Sequence, residues 1–222
     1  MRLLFVHHSV GRHIIHEGGL REKLASVNPD IELWDHDYNA IGMSDGDGRP
    51  SPEHTLPVPN DDTDPPGIEQ FLRSMADEPE FAEKLSHFDG LVFKSCYPNS
   101  DIQSAAALAT LREIYERVAQ LSEEVQPQVV LVTSPPLVAE RTTRGNAGRA
   151  RDLAHWLLST LPNRGVPVID LFGTLAAPDG FLSGTLRLSY RKPWPLDSHP
   201  NGRGSQAGAS LLATQLSSVF TP

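Results

Sequence analysis

Cysteine is almost missing from this chain. Cys96 is the single one in 222 residues, which excludes an intrachain disulfide framework and any cysteine-rich zinc site. Basic residues are in the minority: 19 Lys and Arg against 28 Asp and Glu leave a net charge of −9. Nucleic-acid binders and proteins that lie on membranes meet phosphates with basic faces, so neither class is expected as a partner. Long apolar runs are also lacking. The longest are of strand length, too short to cross a bilayer. The opening Met1-Arg2-Leu3-Leu4-Phe5-Val6 enters a strand-like run at once, without a signal peptide's longer apolar stretch and small-residue cleavage site. The expected compartment is therefore the cytoplasm. No internal repeat and no dividing linker is visible, and the length suits one domain over residues 1–222.

What is present is a hydrophobic fraction of 39%, enough for a packed core. Its pattern alternates. Leu3 to Val6, Gly90 to Phe93, Val129 to Val132 and Val166 to Ile169 are short, near-continuous apolar runs, with Ile31 to Trp34 a weaker fifth. Such runs suit a parallel sheet covered on both faces. Between them lie stretches with helical spacing: Gly11 to Val27, residues 103–125, Ala147 to Leu161 and Ser205 to Phe220. Strands alternating with helices predict βαβ units and a three-layer α/β/α sandwich. Met43 to Gly67 breaks the rhythm. It is rich in Asp, Gly and Pro, and is expected to be a long loop, either a functional lid or a mobile insertion.

In an open α/β sheet, ligands gather beyond the carboxyl ends of the strands. The residues there are His7-His8-Ser9-Val10-Gly11, then Lys94-Ser95-Cys96-Tyr97-Pro98-Asn99, then Thr133-Ser134-Pro135-Pro136. Asp197-Ser198-His199-Pro200-Asn201-Gly202 precedes the last helix. Ser9 sits between a strand and a helix, where the first helical amides point at any anion forming beside it. Gly11 lets backbone approach a substrate closely. Asn99 offers an amide donor. His199 offers a base near neutrality, with Asp197 to hold its ring. A serine hydroxyl needs such a base to become a nucleophile.

Ser9 near the start, Asn99 after the third strand, and Asp197 with His199 before the last helix resemble the SGNH, or GDSL-like, hydrolases. The first block, His7-His8-Ser9-Val10-Gly11, looks like a branch of that superfamily with a His-x-Ser-Val-Gly signature. The resemblance implies a flavodoxin-like, parallel, five-stranded sheet in the order 2-1-3-4-5. It implies Ser9 as nucleophile, His199 as general base and Asp197 as its orienting acid. It further implies an oxyanion hole made by the Ser9 amide, a glycine amide supplied here by Gly42, and the Asn99 side chain. Ser95 and Asn39 are rivals for that last donor role. The pattern departs from the family where Tyr97 and Ser100 flank Asn99, and where one residue instead of two separates Asp197 from His199.

The implied function is a serine esterase that hydrolyses a small acyl ester through an acyl-enzyme. Acyl transfer by the same residues, and a binding domain that keeps only the fold, are the alternatives. The partner is a small-molecule ester, and no cofactor is called for. The local histidines His7, His8, His13 and His16 lack His-Glu-x-x-His spacing, and Asp45-Gly46-Asp47-Gly48 lacks the closing glutamate of a calcium loop. No metal site is therefore expected.

Overall fold

The computed structural model describes residues 1–59 and 63–221. Among them one sheet runs through the molecule, in the order β3-β2-β1-β4-β5-β6. Its strands are β1 (Arg2–Val6), β2 (Glu32–His36), β3 (Met43–Ser44), β4 (Gly90–Lys94), β5 (Gln128–Val132) and β6 (Val168–Ile169). β1 pairs in parallel with β2 and β4, and β5 joins β4 to β6, also in parallel. Without β3 this is the expected 2-1-3-4-5 order. The sixth strand is the difference: β3 is two residues long, antiparallel, and pairs His36 with Met43 at the sheet's edge.

Alternation along the central strands explains the layers. Leu3 and Phe5 pack into one apolar cluster, and Leu4 and Val6 into another on the opposite face. The first face is covered by α1 (Ser9–His16), α2 (Leu20–Val27), α7 (Leu171–Leu175) and α8 (Gly202–Val219). The second is covered by α3 (Pro65–Asp77), α4 (Pro79–Leu85), α5 (Ala105–Ser122) and α6 (Arg144–Thr160). Each large aliphatic side chain buried this way stabilises the fold by about 1.5–3 kcal/mol relative to exposure.

Three local expectations change. Gly11 to Val27 is two helices instead of one. Gly19 adopts φ 68°, and a Cβ on Gly18 would lie 2.5 Å from the Ser205 carbonyl oxygen of α8, so the chain breaks where it must approach that helix closely. α3 and α4 were not expected, although their signals are ordinary. The Asp64 side chain accepts from the Gly67 amide at 2.9 Å, prolines open the helix, and Ile68, Phe71, Leu72 and Met75 recur on its buried side. Finally, the Met43 to Gly67 stretch is packed rather than loose where it is described. Met43, Leu56 and Val58 are buried in the same cluster as Leu4, and the Leu56 amide donates to His36 Nε2 at 3.1 Å. Residues 60–62 of that stretch lie outside the described residues.

Candidate active site

β1 stops at Val6, and the next two residues leave the sheet in extended backbone. His8 is the N-cap of α1 and makes no side-chain cap bond, so Ser9 becomes the first helical residue. Amides in a helix's first turn have no intrahelical acceptor. Ser9 therefore sits half-buried just beyond a strand's carboxyl end, in the helix turn that carries those amides.

The partner segment is pinned from several sides. The Asn201 side chain accepts from the Gly204 amide at 3.1 Å, capping α8, and donates to the carbonyls of Ser189 and Arg191 at 3.1 and 3.0 Å. Its own amide donates to the Tyr190 carbonyl at 2.7 Å. Ser198 is buried, and its hydroxyl accepts from the Val138 amide at 3.2 Å. The segment bends at His199, so that Ser198 turns inward to this bond while Asp197 and His199 face the end of α1.

They meet Ser9 there. His199 Nδ1 is 2.6 Å from Asp197 Oδ1, and His199 Nε2 is 2.8 Å from Ser9 Oγ. The same Asp197 oxygen accepts the His199 amide at 2.9 Å, a bond suited to the short spacing. With Nδ1–H donating to the Asp197 carboxylate, the lone pair on Nε2 accepts from the serine hydroxyl. Burial pushes the His199 imidazole below its usual value, and Asp197 opposes this only in part. Burial alone would raise the Asp197 carboxyl. Its bonds from the His199 amide and ring, with the charges of His199 and Lys192, outweigh that and hold it below the ordinary carboxylate range.

Rings wall the site. Tyr97 stands edge-on to His199 with centroids 5.2 Å apart, and His13 lies at the same distance, tilted. Tyr38 stacks on His8 at 4.1 Å, and Arg12 reaches over Tyr38 while donating to Asp37 at 2.5 Å. Burial raises the Tyr97 phenol, so it remains a neutral donor at ordinary pH.

Other residues singled out in the sequence sit elsewhere or are engaged. Gly42 adopts φ 77°, and its amide donates to the Tyr38 carbonyl at 2.8 Å, closing a turn. A Cβ there would lie 2.3 Å from Thr55 Oγ1. Gly42 is thus needed for the turn and its packing, and its N–H is committed rather than aimed at Ser9. Asn99 lines a narrow crevice with Ser134, Ala150, Leu157 and Phe172, on the α6 side, while Tyr97 from the same turn takes the place against His199. Ser95 is buried and donates to the Thr63 carbonyl at 2.8 Å. Both ends of the Asn39 amide are bonded to Val58 backbone. Gly11 makes room for the His7 ring rather than for a ligand, since a Cβ there would lie 2.4 Å from it.

Sequence reasoning missed the roles of Tyr97, Ser198 and Asn201. Asn201 carried a signal, because Asn directly before a glycine-opened helix is an N-cap pattern. Among the described residues no group of three or more His, Cys, Asp or Glu is arranged to hold a metal ion. A cavity of about 520 Å³ lies along α2 and β2, lined by Arg21, Ala25, Asp30 and Glu32, and includes none of Ser9, Asp197 and His199.

The 2-1-3-4-5 parallel core with its flanking helices superposes on solved structures along nearly the whole chain. The fold is that of the SGNH hydrolases. A GDSL-like lipase from Bacteroides thetaiotaomicron superposes with a TM-score of 0.60 at 12% identity, covering 99% of this chain and 89% of that one. A lipase from a goat rumen metagenome gives 0.57 at 10% identity, covering 96% of each chain. A carbohydrate acetylesterase family member from Sinorhizobium meliloti gives 0.54 at 11% identity, covering 99% of each. No protein-family model and no curated protein matches the sequence. At such identities the likeness to SGNH hydrolases is one of fold.

Proposed function

We propose that this chain is a serine esterase that hydrolyses small acyl esters, with Ser9 as nucleophile, His199 as general base and Asp197 as the group that orients it. One observation carries the reading: the continuous chain of contacts Asp197–His199–Ser9, at 2.6 and 2.8 Å, built from segments 190 residues apart. The named esterase and lipase neighbours support it through their shared fold.

His199 Nε2 takes the hydroxyl proton as Ser9 Oγ forms a bond to the acyl carbon. The carbonyl π pair moves onto oxygen, and the oxyanion accepts from the Ser9 amide at the start of α1. Collapse of the tetrahedral adduct breaks the bond to the alcohol oxygen, which leaves with the proton from His199. Water then gives its proton to His199 and attacks the acyl-enzyme. Ser9 recovers the proton, and the acid is released.

The test is a series of p-nitrophenyl esters of increasing acyl length, run on the wild type, Ser9→Ala and His199→Ala. Each variant is expected to lose at least about 10⁴-fold in kcat, with the shortest acyl groups turned over fastest by the wild type. Persistent activity in both variants would remove the assignment.

A further inference from the structure

Beneath the proposed nucleophile lies a second imidazole that the reaction does not use. The His7 side chain is fully buried. Its Nδ1 is 3.0 Å from the His8 carbonyl oxygen, and its Nε2 is 3.0 Å from Asp35 Oδ2 on β2. Asp35 is also bound by Arg21 of α2. Burial would raise the Asp35 carboxyl, but the bond and charge of His7, together with Arg21, hold it below the ordinary range. Both ring nitrogens thus face oxygens that only accept, so both contacts are hydrogen bonds when each nitrogen carries a proton. His36, one strand away, differs. Its Nδ1 is 2.6 Å from the Asp37 carbonyl oxygen, while its Nε2 accepts from the Leu56 amide, a pattern that needs one ring proton.

The place of the His7 ring matters more than its charge. The carbonyl it reaches belongs to His8 and also accepts the Arg12 amide at 3.1 Å, the bond that opens α1. Ser9 is the next residue. Gly11, one turn along α1, lies flat on the ring, because a Cβ there would come within 2.4 Å of His7 Cβ and Cγ. The His-x-Ser-Val-Gly spacing therefore has a physical content: the histidine holds the turn, the serine is presented by it, and the glycine admits the histidine.

We propose that His7 is the positioning residue of Ser9: its buried Nδ1 holds the His8 carbonyl and so fixes the angle at which α1 presents the serine hydroxyl to His199, while Asp35 seats the far side of the ring. This rests on the assignment of Ser9 as nucleophile. Two substitutions separate the two bonds. In His7→Asn the amide nitrogen overlies Nδ1 and keeps the bond to the His8 carbonyl. In His7→Gln it overlies Nε2 and keeps only the bond to Asp35.

The readout is the rate of covalent labelling of Ser9 by a fluorophosphonate, normalised to the sites labelled at saturation, with thermal unfolding followed in parallel. His7→Asn is expected to label within about threefold of wild type, and His7→Gln about 10–100-fold more slowly, while both unfold at lower temperature. Equal labelling rates in the two variants, at reduced stability, would reduce His7 to a packing residue and overturn the proposal. If neither variant folds, NMR of the wild-type ring nitrogens decides: a proton on His7 Nδ1 is expected, and a bare Nδ1 overturns the bond to the His8 carbonyl. A wild type that does not label at all sinks the Ser9 assignment itself, and the His7 proposal with it.

Discussion

The chain leaves β1 and β4 in comparable ways. Both strands are central, nearly fully buried and parallel, and each delivers a serine within three residues of its end, Ser9 and Ser95. The two hydroxyls have opposite fates. After β1 the backbone runs straight into α1, leaving Ser9 half-buried with its proton directed at an imidazole. After β4 it folds inward, and the Ser95 hydroxyl is spent on the Thr63 carbonyl. A serine is poised for chemistry when its surroundings offer it a base and an approach, not a backbone carbonyl in a closed core.

That contrast is open to attack at both ends. Asp197→Asn should cost about 10²–10⁴-fold in kcat. The amide loses the charge that stabilises the imidazolium, and it can turn its NH₂ toward Nδ1, which places the ring proton on the wrong nitrogen. Ser95→Ala should leave kcat within about threefold while lowering stability by about 1–3 kcal/mol, because a buried carbonyl loses its donor. Steady-state kinetics with thermal unfolding on both variants checks this. A large kinetic loss from Ser95→Ala with no change in unfolding would erase the distinction.

The acidity of His199 sharpens it further. The proposed base must be neutral to accept the serine proton, and burial depresses its pKa. Activity should therefore be full at neutral pH and fall off on the acid side, through an apparent pKa below the ordinary histidine value of about 6.5. A kcat/KM profile measures this directly. A midpoint above that value would mean that the Asp197 charge outweighs burial, and that the site is wetter than its contacts suggest.

Asn201 holds the imidazole's segment without touching the reacting atoms. Asn201→Ala removes the α8 cap and the two bonds to Ser189 and Arg191. The expected outcome is a loss of about 0.5–2 kcal/mol in stability with a fall of about tenfold in kcat and little change in KM, since His199 is held less firmly. Denaturant unfolding alongside kinetics separates the two effects.

Much of this was legible in the residues because it depends on local signals. Four apolar runs marked β1, β4, β5 and β6, with β2 the weaker fifth, and the strand order followed from the resemblance carried by the three short blocks around Ser9, Asn99 and His199. The meeting of Asp197, His199 and Ser9 needed only an acid and a histidine close together before one helix and a serine opening another. What escaped depended on tertiary context. Pro65 and Pro66 sit in a segment whose composition reads as loop, although Ile68, Phe71, Leu72 and Met75 bury a helical face. Two-residue β3 exists because Met43 finds His36 at the sheet edge, not because its own sequence favours a strand. Gly42 looked like an available amide until the turn claimed it.

Asn99 is where the comparison of the two strand exits bears hardest on mechanism. By resemblance it would donate to the oxyanion, and removing such a donor typically costs about 10²–10³-fold in kcat. In this chain, the turn after β4 sets Tyr97 against His199, and Asn99 borders a narrow crevice that Ser134 and Phe172 also line. Asn99→Ala should accordingly change kcat by less than about threefold, the smallest effect in this set, while Tyr97→Phe, which keeps the ring against His199 and deletes only the phenol, reports whether that hydroxyl has taken over as donor. A loss near 10²-fold in Asn99→Ala would mean that the turn after β4 rearranges when substrate binds, and would make the exit of β4 as much a part of the chemistry as the exit of β1.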